Sequence, residues 1–253
     1  MQLWTKMHAI TLIPSFIVMV LFAILLARLI GNKDEKIRMI PIQIIAVLIV
    51  IIEIIKQVQS FIKGYNLYFI PLHFCSLFIF FIPLMAFYKG KGKEYIRSFT
   101  VTACAMMSIF LLIYPDLIYS ANAIQTMGTE FLSFHTVVFH NLVLFAFALI
   151  IALKLYDINT KRDIKTILVG FIIYCSIAAV MAQILKTNYN NFYTCNIGPI
   201  ANFVETVKDK IGYVAGQTLY VSIVIVLDML FAFISYGVLR LITKIREIKR
   251  NKT

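Results

Sequence analysis

The chain has 253 residues, of which 61% are hydrophobic and 14% charged, and it carries a formal net charge of +12. A soluble domain is nearer half apolar and about a quarter charged, so this composition excludes an ordinary water-soluble fold and points to a bilayer as the solvent. The positive charge alone would suit nucleic acid, but in a membrane chain such an excess gathers in cytoplasmic connections, and no nucleic-acid partner is expected.

Seven apolar runs follow one another along the chain, at 10–30, 39–60, 68–88, 98–119, 131–154, 166–183 and 218–242. Each approaches the ~20 residues needed to cross the hydrocarbon core. Each is read as a helix, because lipid-exposed backbone must find its hydrogen bonds within its own segment. The first run is of span length, whereas the apolar part of a signal peptide is typically ~7–15 residues. The second is interrupted toward its far end by Glu53, Lys56 and Gln57. The expected fold is all-α, a single seven-helix transmembrane domain over 1–253.

Direction follows from the basic residues. Alternate connections hold Arg28, Lys33, Lys36 and Arg38, then Lys89, Lys91, Lys93 and Arg97, then Lys154, Lys161, Arg162 and Lys165. The last span's end and the tail at 243–253 add Arg240, Lys244, Arg246, Lys249, Arg250 and Lys252. Eighteen of the 24 lysines and arginines thus fall on one side. By the positive-inside rule that side is cytoplasmic, with the N-terminus outside and the basic tail inside. The expected location is a bacterial cytoplasmic membrane, crossed several times.

One outer connection, 187–217, is long. Within it Ile200, Phe203, Val204, Val207 and Ile211 repeat at helical spacing between Pro199 and Gly212, while Asn202, Glu205 and Asp209 face away. This reads as a short amphipathic helix that lies on the outer interface or caps the bundle.

With direction assigned, the polar residues of the spans gather toward the outer side. They are His8, Glu53 with Lys56 and Gln57, His73 with Cys75 and Ser76, Asp116, His135 with His140 and Asn141, Gln183 and Asn188. Asp228 lies deeper, and the inner half holds little beyond Gln43 and Thr102. Charged groups are costly in hydrocarbon and normally face one another or a wet cavity, so a polar cavity toward the outer leaflet is expected. Each residue also has a plainer reading. Glu53 and Lys56 would form an internal ion pair, a single histidine would be a hydrogen-bonded core residue, and Cys104 and Cys175 would be small hydrophobes.

Cysteine beside histidine permits acyl transfer, with the thiolate attacking while the imidazole moves the proton. Cys75 is the candidate nucleophile. On a regular helix His73 would point about 200° away from it, which favours His140 or His135 as the base. Those two lie about 140° apart, so one of them is expected to face Cys75. The substrate-binding candidates are His73, Glu53, Lys56, Asp116, Asn141, Gln183 and Asn188. The histidines and Glu53 are zinc-type ligands, but none has the spacing of a helical zinc motif, so neither a metal nor any other cofactor is expected. The four cysteines match no disulfide or metal framework. Glu53, Asp116 and Asp228 would instead line the path of a small-solute or ion transporter. A receptor or accessory subunit without catalysis is the third reading.

The stretch Ile70-Pro71-Leu72-His73-Phe74-Cys75-Ser76-Leu77 resembles a segment of the YwaF-like family of bacterial integral membrane proteins. Phe134-His135-Thr136, with Val138-Phe139-His140-Asn141, resembles that family's second histidine-bearing span. Lys186-Thr187-Asn188-Tyr189 resembles its segment after the sixth span. The family is distantly similar to eukaryotic transmembrane acyltransferases acting on phospholipids through a cysteine and a histidine. The resemblance implies membrane lipids as partners, an acyl or small-molecule substrate, Cys75 as nucleophile and His140 or His135 as base.

Overall fold

The computed structural model describes residues 4–196 and 198–250. The helices, in chain order, are α1 (Lys6–Ile30), α2 (Glu35–Ile62), α3 (Leu77–Phe87), α4 (Lys93–Ile113) and α5 (Ala121–Thr126). They continue with α6 (Phe131–Ala152), α7 (Thr160–Leu185), α8 (Gly198–Ile211) and α9 (Tyr213–Arg250). Six of them, α1, α2, α4, α6, α7 and α9, are long and apolar enough to cross a membrane. Their outward faces are crowded with exposed Ile, Leu, Val and Phe, as lipid contact requires.

The run at 68–88 departs from the expectation of a continuous helix. Two single 3₁₀ turns, Leu67–Phe69 and Phe74–Ser76, precede α3, which has 11 residues. At about 1.5 Å per residue α3 covers about 16 Å, roughly half the hydrocarbon core. Pro71 explains the break: it carries no N–H and disfavours helical backbone in the residue before it. Ile70 accordingly lies at φ −58°, ψ 133°. The run at 98–119 is also shorter as a helix than expected. α4 stops at Ile113, Tyr114 takes φ −140° and ψ 70°, and Pro115 opens a 3₁₀ turn.

Hydrogen bonds at the two ends establish how the elements run. At one end Arg38 of α2 donates to the carbonyls of Leu153 and Lys154 after α6 (2.6 and 3.1 Å), and Gln43 donates to Ala86 of α3. Arg97 of α4 pairs with Glu35 and Glu94, and Arg162 of α7 reaches Glu94 at 3.4 Å. At the opposite end Trp4 donates to Leu112 O, His8 to Tyr119 O, and His135 of α6 meets Glu53 of α2. The six long helices and α3 therefore alternate in direction along the chain. α4 is the most enclosed of the long helices, packed by α3, α6, α7 and α9.

Close packing of α4 on α7 uses Gly170. A Cβ there would sit 2.7 Å from the Phe99 ring, so only glycine allows this approach. Asp163 at the start of α7 is fully enclosed and accepts from Asn159 N–H (2.8 Å), Arg162 Nε (2.9 Å) and Tyr236 Oη of α9 (3.0 Å). Replacing Asp163 by Ala leaves those donors unmatched. It is expected to lower stability by about 3–5 kcal/mol, read as a fall in the unfolding temperature of the detergent-purified protein. Tyr236→Phe, which removes one bond, is expected to cost about 1 kcal/mol.

Candidate functional site

A cavity of about 700 Å³ opens between α2, α3, α4, α6, α7, α9 and the connection after α7. It has two kinds of wall. Met106, Met107 and Phe110 of α4, Phe139 of α6 and Phe171 of α7 form an apolar side. Glu53, Lys56, His73, Cys75, His135, His140, Asn188, Asn190 and Asp228 bring polar groups to the same space.

The most charged group on the polar wall is Glu53, only 5% exposed. One carboxylate oxygen accepts from Lys56 Nζ (2.7 Å) and Gln57 Nε2 (2.7 Å), the other from His135 Nε2 (3.0 Å). Lys56 and Gln57 reach it because residues three and four apart share a helix face. Gln57 Nε2 also donates to Phe69 O (2.9 Å), and its Oε1 accepts from Tyr65 Oη (2.9 Å). Burial and the nearby Glu53 charge push the Tyr65 phenol above its usual pKa, so it stays a protonated donor. The internal ion pair read from the sequence is thus present, and it extends to α6 through His135.

The three cavity histidines differ in which nitrogen is committed. His140 Nδ1 faces the Thr136 carbonyl at 2.7 Å. A carbonyl only accepts, so Nδ1 carries the proton and Nε2 keeps an unshared lone pair. No hydrogen bond engages that Nε2 among the described residues, and the His140 side chain lines the cavity. The same logic makes His73 a donor through Nε2 to Tyr68 O (3.2 Å), and His135 a donor to Glu53. His8 lies elsewhere: it caps α1 through Thr5 and donates to Tyr119 O at 2.6 Å, a structural role.

Cys75 sits in the 3₁₀ turn that leads into α3 and is partly exposed to the cavity. It makes no hydrogen bond to His73, His135 or His140. Because the chain before Phe74 is not a regular helix, His73 and Cys75 line the same cavity despite the 200° separation expected on one. His135 and His140 also both line it, though they lie about 140° apart around α6.

Seven of the ten site residues read from the sequence converge here: Cys75, His140, His135, His73, Glu53, Lys56 and Asn188. The other three do not line it. Asp116 lies in the 3₁₀ turn Pro115–Leu117. Asn141 donates to Val137 O (2.9 Å) and borders a separate, apolar cavity of about 90 Å³ with Trp4, Leu12 and Leu144. Gln183 donates to Phe192 O (2.7 Å), which ties down the connection after α7. Of the three carboxylates expected along a transport path, Glu53 and Asp228 border the cavity and Asp116 does not.

Sequence reasoning passed over Tyr174 and the asparagines at 190, 191 and 196, which also line the cavity. Their signal was the density of Asn in the outer connection, which looks like ordinary loop composition until it is packed. Among the described residues no group of three or more His, Cys, Asp or Glu is placed to hold a metal ion.

Six membrane-length helices, five of which line a cavity with polar and apolar walls, define a multi-pass helical membrane protein. The chain belongs to the TMEM164 family, whose model matches residues 3–237. Comparison with curated proteins and with solved structures gives no match.

Removing the Glu53 carboxylate by Glu53→Gln strands the largely buried Lys56 ammonium and is expected to cost about 3 kcal/mol. The double replacement Glu53→Gln with Lys56→Met is expected to recover most of that loss in the same thermal-unfolding measurement. Equal losses in the single and double variants would show that the stranded Lys56 charge is not the source of the loss.

Proposed function

We propose that the protein is a membrane-embedded enzyme that transfers or hydrolyses acyl groups of lipids, with Cys75 as nucleophile and His140 as base. The observation that carries this reading is that Cys75 and His140, whose Nε2 lone pair is unshared, border one cavity that also has an apolar wall. An acyl chain fits the Met106, Met107, Phe110 and Phe171 side, while an ester and its headgroup suit the polar side.

In this mechanism His140 Nε2 takes the Cys75 proton and the thiolate attacks the ester carbonyl. The C–O bond to the leaving alcohol breaks, the imidazolium returns the proton to that alcohol, and a thioester remains on Cys75. A second alcohol or water, deprotonated by His140, then releases the acyl group and restores the thiol. His135 is less suited to be the base, since its Nε2 is committed to Glu53. Its role is to hold the Glu53–Lys56 group on the headgroup side, with His73 and Asn188 lining the same wall.

The lipid faces the outer leaflet in this reading. Arg38, Arg97 and Arg162 cluster at the end of the bundle opposite Glu53 and His135. With eighteen of 24 basic residues assigned to that side by the sequence, the positive-inside rule makes it cytoplasmic. The chain then crosses seven times, with α3 and the irregular segment before it completing the third crossing. A green fluorescent protein fused after Thr253 is expected to fluoresce, and a periplasmic phosphatase fused there to be inactive. The reverse pattern would invert the topology.

The purified protein, incubated with vesicles of a diacyl phospholipid labelled in one acyl chain, is expected to carry hydroxylamine-labile label on Cys75. Cys75→Ala is expected to abolish the label and acyl transfer, and His140→Ala to reduce transfer by about 10²–10⁴-fold. Full acyl transfer by Cys75→Ala would remove Cys75 from the mechanism.

A further inference from the structure

We infer that Asn190 is the positioning residue for Cys75, acting through the backbone that leads into α3; this rests on the acyl-transfer reading above. The segment at 63–76 is not helical over most of its length, and Cys75 is held from within it only by its own 3₁₀ turn, closed by Ser76 N–H on His73 O (2.9 Å). The connection after α7 supplies the hold. Asn190 Oδ1 accepts the N–H of Phe74 (2.8 Å), the residue before Cys75. Its Nδ2 donates to Leu72 O (3.2 Å) and to Tyr174 Oη, and Tyr174 Oη donates in turn to Leu72 O (3.1 Å). One amide thus grips the chain on both sides of His73, three residues and one residue ahead of the candidate nucleophile.

The grip is itself held. Tyr189, fully enclosed, donates its hydroxyl to Leu67 O and sets its ring 5.2 Å from that of His73. Gln183 and Gln217 both donate to Phe192 O, and Tyr220 donates to Asn191 O. Asn190 and Asn191 sit at φ +50° and +61°, in the left-handed region that asparagine tolerates better than most side chains. The turn therefore presents the Asn190 amide inward, between the tip of α7 and the start of α3.

The consequence is geometric. With Phe74 N–H and Leu72 O committed to Asn190, the first turn of the Phe74–Phe87 helical segment is fixed, and the Cys75 thiol with it. A misplacement of about 1 Å in a reacting group costs ~10²-fold in rate. Losing this clamp is therefore expected to act on the chemical step more than on lipid binding.

The test uses Asn190→Gly, which keeps the positive φ available and deletes only the amide, with Tyr174→Phe and Asn190→Asp as companions. Two readouts are taken on the full chain in lipid nanodiscs: acyl transfer from a labelled diacyl phospholipid, and the pH dependence of iodoacetamide labelling at Cys75, located by peptide mass spectrometry. Asn190→Gly is expected to lower kcat by about tenfold or more with KM little changed, and to alter the pH profile of Cys75 labelling. Tyr174→Phe is expected to shift both in the same direction but less. Asn190→Asp, which keeps the acceptor for Phe74 N–H, is expected to restore much of both relative to Asn190→Gly. A Cys75 labelling profile and kcat unchanged in Asn190→Gly would overturn the positioning role while leaving the acyl-transfer reading intact. Cys75→Ala retaining transfer would overturn that reading, and the labelling profile would still report on the clamp.

Discussion

A stretch of irregular chain enters the apolar bundle between α2 and α3, and its carbonyls must be satisfied without water. The Leu67 carbonyl also takes the Ile70 N–H (3.1 Å), but those of Tyr68, Phe69 and Leu72 would each be an unpaired acceptor there, at a cost of several kcal/mol apiece in hydrocarbon. Side chains answer each one: Tyr189 for Leu67, His73 for Tyr68, Gln57 for Phe69, and Tyr174 with Asn190 for Leu72. These donors come from α2, α7, the connection after α7 and the irregular segment itself. The polar residues at this end of the bundle are therefore first a means of keeping a non-helical segment inside protein.

That segment is also what gives the cavity its room. A full helix through 68–88 would place one continuous cylinder against α2 and α4. Starting α3 only at Leu77 leaves space bordered by α4, α6 and α7, with the thiol of Cys75 at its edge. The glutamate on α2 then joins the two sides of this space, since Glu53 accepts from its own helix and from His135 of α6. His140, one and a half turns further along, is left with a nitrogen that no group among the described residues uses. That lone pair, the thiol of Cys75 and the apolar wall of the cavity are what the acyl-transfer proposal rests on.

The two ends of the bundle are built differently. At the end where α4 and α7 begin, arginines meet acids and carbonyls directly: Arg97 with Glu35 and Glu94, Arg162 with Asp163 and Glu94, and Arg38 with the end of α6. These contacts tie helix ends together and leave little space. At the other end the links run through the Glu53–Lys56–His135 group and through amides and phenols around a hollow.

Much of this was legible from composition and spacing. Runs of about 20 apolar residues require helices in a bilayer, and six such helices formed. The i, i+3, i+4 spacing of Glu53, Lys56 and Gln57 requires a shared face, and the ion pair formed on it. Residues from α2, the turn before α3 and α6 that share one depth in the sequence also share one cavity. What the chain order could not show was where a helix would be given up. Pro71 permits a break, but it takes Asn190, Tyr174 and Tyr189, more than a hundred residues away, to make that break stable inside the bundle. Nor could spacing show that His135 would be bound to Glu53 while His140 kept a free nitrogen, because both depend on which neighbour each ring meets. Periodicity acts along one helix and is written in the sequence; the satisfaction of buried polar groups acts between helices, and only their packing decides it.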